Sequence, residues 1–198
     1  MTTSSELTPA SAGQQFATWL VSHCSSAKLC ILCHSDADGI SAGAILHRAL
    51  QRSDREVATI VTRKFENAWS ESIRDRLQEA SAGALIVGDF GVRARPVLEA
   101  VPTCLIDHHY FSDAPSDSVI ITGFQVEPCP TFRLIAFWCA SAVADVSDLE
   151  WMPAISLLSD SGERAPFVEL TSAKRVHGLS ALRRGDHSAE RCAAIVER

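Results

Sequence analysis

Five short apolar runs constrain the fold of this 198-residue chain more strongly than any other feature of its sequence. Several of them are apolar at almost every position, as strands covered on both faces of a parallel sheet are. The runs occupy residues 29–33, 57–62, 84–87, 103–106 and 118–122. Because helical patterns separate the first three runs, the sequence predicts an α/β fold with a Rossmann-like, mainly parallel sheet of five strands and helices on both faces.

Helical periodicity predicts the remaining elements. In residues 41–51, apolar side chains recur at the i, i+3, i+4, i+7 spacing of an amphipathic helix. Other helices are predicted over residues 9–24, 70–80, 132–144, 152–158, 170–182 and 188–198. These patterns divide the chain into an N-terminal helical extension (1–27), an α/β domain (28–170) and a helical C-terminal segment (171–198).

Composition and charge narrow the class of protein. No apolar run approaches the roughly 20 residues of a membrane-spanning helix, and residues 1–13 lack the basic start and apolar stretch of a signal peptide. Seven scattered cysteines are typical of reduced thiols, so we expect a cytoplasmic protein. Cys30 and Cys33 form a CxxC pair, but they would point to opposite faces of a strand. The net charge of −6 argues against strong non-specific binding of DNA through a basic surface.

Ionisable side chains gather where the predicted elements end. The first strand runs into residues 34–39 (HSDADG), and the third is followed by Gly88 and Asp89. The fourth runs into residues 107–109 (DHH), and a later helix ends near Asp160. Because ligands of such sheets bind beyond the carboxyl ends of the strands, we expect these four segments to meet at one rim.

The spacing within residues 34–39 is informative by itself. Alternate residues of an extended segment share a face, so His34, Asp36 and Asp38 can converge. Gly39 would then allow a tight turn into a helix that starts near Ser41.

Taken singly, each motif also has an ordinary structural explanation. Asp38 could cap the helix, and Asp89 could occupy a turn. Asp160 could be an ordinary polar residue at the end of a helix, and His108 and His109 could be a pair of surface histidines. None of these explanations accounts for carboxylates and imidazoles at the ends of four separate segments.

These motifs resemble those of the DHH phosphoesterase superfamily, which includes RecJ-type exonucleases, oligoribonucleases, cyclic-di-AMP phosphodiesterases and manganese-dependent pyrophosphatases. The likeness covers about residues 28–170, where HSDADG, Asp89, DHH and Asp160 occur in the order typical of the family. Residues 66–70 (ENAWS) and 162–167 (GERAPF) are also similar to a RecJ-like bacterial subgroup. The resemblance makes residues 28–170 the catalytic domain.

The resemblance also implies roles for individual residues. The six implied metal ligands are His34, Asp36, Asp38, Asp89, His108 and Asp160. His34 and Asp36 would hold one ion, and Asp89 would bridge the two ions. The second ion would be held by Asp38, His108 and Asp160.

Three further roles concern catalysis and the substrate. Asp107 would orient His108, and His109 would face the scissile phosphate, so that Asp89, Asp107 and His109 form the catalytic group. Asn67 would bind substrate or support a ligand, with capping of the following helix as its alternative.

The expected cofactors are two divalent metal ions. Mixed imidazole and carboxylate ligands suit Mn²⁺, with Mg²⁺ or Zn²⁺ as alternatives. Two ions about 3.5–4 Å apart can activate a water for in-line attack on phosphorus. The resemblance therefore implies hydrolysis of phosphodiester bonds in single-stranded nucleic acid, short oligonucleotides or cyclic or linear nucleotides, with no membrane partner.

Two features depart from the family pattern. The sequence contains no Gly-Gly pair, so we expect it to lack the usual glycine-rich, C-terminal substrate-binding domain. Small residues typically follow Thr131 in the subgroup, whereas this chain has Phe132 and Arg133. These two could narrow the pocket, and Arg133 could bind a substrate phosphate or remain a solvated helix residue.

Two other functions stay open at this point. One is hydrolysis of a small phosphate compound, as in pyrophosphatases. The other is a truncated, weakly active remnant that binds metal or nucleotide.

Overall fold

Five strands of five residues each form a single parallel sheet in the computed structural model, which describes residues 7–24, 27–154 and 167. The strands are β1 (Leu29–Cys33), β2 (Val57–Val61), β3 (Ala84–Gly88), β4 (Thr103–Asp107) and β5 (Ser118–Thr122). They pair in the order β2-β1-β3-β4-β5, and every neighbouring pair is parallel. The predicted five-stranded parallel α/β sheet is confirmed, with each strand within one residue of its predicted bounds.

Four α-helices accompany the sheet, namely α1 (Pro9–His23), α2 (Ala37–Arg52), α3 (Glu71–Glu79) and α4 (Phe132–Ser141). Residues 151–154 are also helical, where a helix over 152–158 was predicted. The helices predicted over 170–182 and 188–198 lie outside the described residues. The predicted start of α2 near Ser41 is wrong, because the Asp36 side chain caps the helix and moves its first turn to Ala37.

Helices cover both faces of the sheet, as predicted. Alternate strand residues divide between two cores, so that Leu29 and Ile31 face one side while Cys30 and Leu32 face the other. Helices α1, α2 and α4 pack on the first face, and α4 contacts both α1 and α2. Helix α3 and the segment 92–98 pack on the second face.

The two cysteines of the CxxC pair lie on opposite sides of β1. Cys30 packs in the core beneath α3, whereas the Cys33 side chain lies against Gly43 of α2. Burial raises the pKa of Cys30 to about 11 and that of Cys33 to about 12. Both thiols therefore stay protonated at neutral pH and serve as packing groups.

The strand order determines where a ligand can bind. From β1 the chain moves outward to β2 and then returns to the opposite side of β1 to form β3. The loops that follow β1 and β3 therefore diverge at the carboxyl edge and leave a crevice between them. None of the helices in the described part of the chain is long and apolar enough to cross a membrane.

Candidate metal centre

A cleft of about 690 Å³ opens at the carboxyl edge of the sheet, at the switch point between β1 and β3. Its walls are made by the segments that follow β1, β2, β3 and β4. The lining residues are His34, Asp36, Asp38, Glu66, Asn67, Asp89, Phe90, Gly91, His108 and His109. The parallel sheet thus brings three of the four sequence motifs to one rim, whereas Asp160 lies outside the described residues.

The first group of candidate ligands consists of His34, Asp36 and Asp89, whose donor atoms all lie within 4.8 Å of one another. The His34 ring Nδ1 lies 2.8 Å from Asp36 Oδ2, and the Gly39 amide donates to Asp36 Oδ1 at 2.7 Å. Although partial burial acts to raise it, the pKa of Asp36 is lowered overall by these hydrogen bonds from Gly39 and His34. The Asp36 carboxylate is therefore ionised and fixed in direction.

Gly39 is required by the close approach of the α2 start to β1. A Cβ atom at this position would lie 2.5 Å from the His34 carbonyl oxygen, which is closer than any real contact. The predicted tight turn at Gly39 before the helix is wrong, because Gly39 lies inside the first turn of α2, where it allows close packing against His34.

Asp89 belongs to both groups of candidate metal ligands, the one just described and a second one with His108 and His109. It adopts a left-handed conformation with φ 71°, which aspartate tolerates better than most residues. The preceding Gly88 has no room for a side chain, because its Cβ would lie 2.0 Å from the Phe132 ring. The Asp89 carboxylate is consequently carried over the end of β3 into the cleft, with its side chain only 8% exposed.

The second group consists of Asp89, His108 and His109, whose donor atoms also lie within 4.8 Å of one another. Asp89 Oδ1 is 3.7 Å from His108 Nε2 and 3.9 Å from His109 Nδ1. Both separations exceed hydrogen-bond length, and the one between Asp89 and His108 leaves room for a cation between carboxylate and imidazole. His109 Nδ1 lies closer to Asp107 Oδ1, at 2.8 Å. The two groups share Asp89, as a bridging ligand would require.

The donor chemistry fits a divalent cation. The pKa of Asp89 is raised to about 6, because burial removes the carboxylate from water and because other carboxylates repel its charge. Those carboxylates belong to Asp36, Asp38 and Asp107. A bound cation would offset this repulsion, and carboxylate and imidazole are ligands that Mn²⁺ accepts.

Asp107 accepts hydrogen bonds from His109 and orients its ring, so the prediction that it orients His108 is wrong. Asp107 Oδ1 accepts hydrogen bonds from the His109 backbone amide at 2.7 Å and from the His109 ring Nδ1 at 2.8 Å. Its Oδ2 accepts from the Gly91 amide at 2.7 Å. The reason is local, since an aspartate side chain readily bonds the backbone two residues further on. The Nδ1 proton is then held by Asp107, and His109 keeps Nε2 free to act as an acceptor.

Asp38 lines the cleft but differs from its neighbours in the motif. Because α2 begins at Ala37, Asp38 sits on a helical turn and not on the extended segment with His34 and Asp36. The predicted alternative of Asp38 as the N-cap is also wrong, since Asp36 fills that position. The role of Asp38 as a metal ligand stays a prediction.

The two bulky residues after Thr131 are buried. Phe132 is 1% exposed and packs against Gly88, so it belongs to the core and does not narrow the cleft. Arg133 is 6% exposed, and the interpretation of a solvated helix residue is therefore wrong. Arg133 does not line the cleft, where a substrate phosphate would lie.

Asn67 lines the cleft and also shapes the approach to α3. Its side-chain oxygen accepts a hydrogen bond from the Trp69 amide at 2.9 Å, while Ser70 is the N-cap of the helix. The capping alternative is thus corrected to a turn that precedes the helix. With its oxygen held, the side-chain amide nitrogen is the part of Asn67 that can donate to a ligand.

The sequence interpretation assigned no role to three residues of the cleft, namely Glu66, Phe90 and Gly91. Glu66 holds the loop after β2, because its carboxylate accepts from the Arg63 amide, the Ser72 hydroxyl and the Arg76 guanidinium. Phe90 meets the His34 ring edge-on at a centroid distance of 5.6 Å. Their positions beside predicted motifs are the only signal that the sequence carries for them.

Comparison with solved structures shows the same fold in manganese-containing nucleases. The crystal structure of exonuclease RecJ bound to manganese matches with a TM-score of 0.63 and 19% identity, covering 75% of this chain and 43% of that chain. RecJ in complex with Mn²⁺ from Thermus thermophilus gives 0.62 and 18%, covering 78% and 25%. CDC45 from Entamoeba histolytica gives 0.59 and 9%, covering 84% and 37%.

This chain therefore spans less than half the length of each of these three structures. No protein-family model matches the sequence, and no curated protein matches it. The structural likeness extends over three quarters or more of the chain at identities of 19% and below, which establishes the fold. The described residues thus adopt a RecJ-like fold, as the sequence motifs predicted.

Proposed function

We propose that this protein is a metal-dependent phosphodiesterase that cleaves single-stranded nucleic acid, short oligonucleotides or nucleotides, with Mn²⁺ as its metal. The single observation that carries the proposal is the pair of donor groups that share Asp89 at the carboxyl edge of a RecJ-like sheet. The RecJ structures with manganese support the choice of metal. A cytoplasmic location belongs to the same proposal.

The chain's own residues would hold two ions side by side. His34 and Asp36 would bind one ion and His108 the other, with Asp89 between them. Bound divalent ions would supply Lewis acidity toward the phosphoryl oxygens and would lower the pKa of a coordinated water. Asp160, which the family resemblance adds to the second ion, lies outside the described residues.

His109 would act on the substrate. Its side chain is 54% exposed in the cleft, and Asp107 fixes its ring through Nδ1 at 2.8 Å. This arrangement directs Nε2 away from Asp107, so His109 would hold or transfer a proton at an oxygen of the phosphate. The amide of Asn67 would add a second donor for the substrate.

Metal ions would have to bind in the cleft before the substrate does. Several carboxylates line the cleft, and they would repel a phosphodiester by charge alone. Bound metal would reverse the sign of the local field, which makes phosphate binding dependent on metal binding.

The test combines metal content with turnover of the purified full chain. We expect Mn²⁺-dependent hydrolysis of bis(p-nitrophenyl) phosphate and of short oligonucleotides. The variant His108→Ala should reduce turnover by at least about 100-fold, because a ligand of the centre is lost. His47→Ala is the matched control, since the exposed His47 ring bonds Thr59 outside the cleft and should leave turnover unchanged.

The outcomes separate the alternative functions. Turnover of pyrophosphate without turnover of any diester would favour a small-phosphate hydrolase. Tight Mn²⁺ binding without turnover of either substrate would favour a metal-binding remnant. A protein that binds no divalent metal would contradict the proposal entirely.

A further inference from the structure

Arg133 is a buried charged residue beside the cleft, with its side chain only 8% exposed, and it lies in the first turn of α4. A guanidinium removed from water in this way must be paired or hydrogen-bonded. Its two terminal nitrogens donate to the carbonyl oxygens of Ala37 at 2.8 Å and Met152 at 3.0 Å. Arg133 therefore ties the start of α4 to the start of α2 and to the helical residues 151–154.

The same residue engages both oxygens of Asp38. The guanidinium Nε of Arg133 forms an ion pair with Asp38 Oδ1 at 3.2 Å without hydrogen-bond geometry. The Arg133 backbone amide donates a hydrogen bond to Asp38 Oδ2 at 3.3 Å. That amide belongs to the free N–H groups of the α4 start, where the helix dipole also favours a negative charge. Asp38 is thus held by a fixed internal cation and by a helix terminus.

Asp36 is held by the Gly39 amide at the start of α2 and is affected by the charge of Arg133 only through space, whereas Asp38 directly contacts that guanidinium. Within the described part of the chain, Asp36 and Asp89 each belong to a group of donors spaced for a metal ion, and Asp38 belongs to neither group. An ion that recruited Asp38 would have to share it with Arg133 and would approach the guanidinium closely. Repulsion between the two cations would then weaken that ion's binding.

We propose that Arg133 withholds Asp38 from metal ligation, so that the two metal positions bind with unequal affinity. The tight ion would rest on His34, Asp36 and Asp89, and the weak ion would lie beside His108. This inference rests on the proposed metal-dependent function and adds an order in which the ions bind. The substitution of Arg133 for the small residue typical of the RecJ-like subgroup is the sequence feature behind it.

The experiment is a Mn²⁺ titration of the metal-stripped full chain, followed by calorimetry and by the electron paramagnetic resonance of free Mn²⁺. The wild-type protein should show two affinities that differ by about 10–100-fold, the usual effect of losing a ligand or its support. Arg133→Met should strengthen the weaker affinity by about 10-fold or more, because Asp38 becomes available. Arg133→Lys keeps a cation beside Asp38 and should retain the wild-type difference.

Asp38→Asn keeps both carbonyl contacts of Arg133, so it remains informative even if Arg133→Met fails to fold. It should weaken the second ion by clearly less than about 10-fold, because the charge of Asp38 is lost but a ligand is not. Asp148→Asn, at an exposed ion pair with Arg52, is the matched control. Weakening of the second ion by about 10-fold in Asp38→Asn would overturn the inference, as would equal affinities in the wild-type protein. Absence of Mn²⁺ binding in the wild-type protein would instead overturn the proposed function, and with it this inference.

Discussion

Replacement of Asp89 by asparagine should stabilise the metal-free protein and destroy its response to metal. Asparagine has the shape of aspartate and tolerates the left-handed conformation that this position adopts. The substitution therefore removes one negative charge and leaves the backbone unstrained. Most substitutions at a buried site destabilise a protein, so a gain in stability would be a specific sign of charge repulsion.

The magnitude follows from the raised pKa of Asp89. The ordinary pKa of 3.8 rises to about 6 in the folded chain, which corresponds to about 3 kcal/mol against the ionised form. A raised carboxyl pKa gives a contribution to stability that is present below pH 3.8 and is lost as the pH rises through about 6. Asp89→Asn should thus match the wild-type protein near pH 4 and exceed it by up to about 3 kcal/mol at pH 7.5.

Thermal unfolding in chelator and in Mn²⁺ measures both effects. In chelator at pH 7.5, the melting temperature of the variant should rise by up to about 6–12 °C, since 1 kcal/mol shifts a chain of this size by about 2–4 °C. In Mn²⁺ at 100 times its dissociation constant, the wild-type protein should gain about 2.7 kcal/mol. The variant should gain much less, because both ions lose their shared ligand.

Asp148→Asn provides a control of opposite sign. The hydrogen bond from Arg52 lowers the pKa of Asp148, so its neutralisation should slightly destabilise the protein in chelator and leave the Mn²⁺ response intact. A loss of stability for Asp89→Asn in chelator at pH 7.5 would refute the argument from charge repulsion. An undiminished Mn²⁺ response would refute the bridging position of Asp89.

Three further predictions concern packing, the orientation of His109 and the thiols. Gly88→Ala should cost about 1–3 kcal/mol in urea unfolding, because the new methyl group would overlap the buried Phe132 ring. Asp107→Asn should lower turnover by about 10–100-fold with little change in metal content, because asparagine lacks the negative charge and has one accepting oxygen for the donors on His109 and Gly91. Among the cysteines of the described residues, Cys129 should react first with a thiol reagent under native conditions, since the other five are buried.

Each of these predictions has a contradicting result. Unchanged stability of Gly88→Ala would mean that Phe132 is not packed beneath β3. Equal turnover of Asp107→Asn and the wild-type protein would mean that the orientation of His109 does not matter for the reaction. Prior reaction of Cys30 or Cys33 would mean that β1 is accessible to solvent in the native state.

Local sequence patterns determined the secondary structure and its order. Strand β1 begins and ends where its apolar run predicted, because all five of its residues are buried and such a strand must be apolar on both faces. The bounds of the edge strand β5 also match the prediction. The helix cap was harder to predict from the sequence, since both Asp36 and Asp38 are good caps, and in the structure the Asp36 side chain accepts from the Gly39 amide. The helix start therefore differed from prediction by four residues.

The sequence alone also determined that the acidic and histidine motifs would meet. Parallel strands place their carboxyl ends at one edge, so HSDADG, Asp89 and DHH must share a rim whatever the order of the strands. The tertiary structure decided which of these side chains work together. Asp107 could have served either neighbouring histidine, and its two-residue hydrogen bonds select His109.

The position of Asp38 shows most clearly how the sequence and the tertiary structure each contribute to the site. Its place in the motif predicted convergence with His34 and Asp36, but Asp38 forms an ion pair with Arg133, 95 residues further along the chain. A pairing over that distance depends on how α4 packs against α2. Sequence periodicity encodes which faces are buried, whereas contacts between distant segments are decided by the packing of the whole fold.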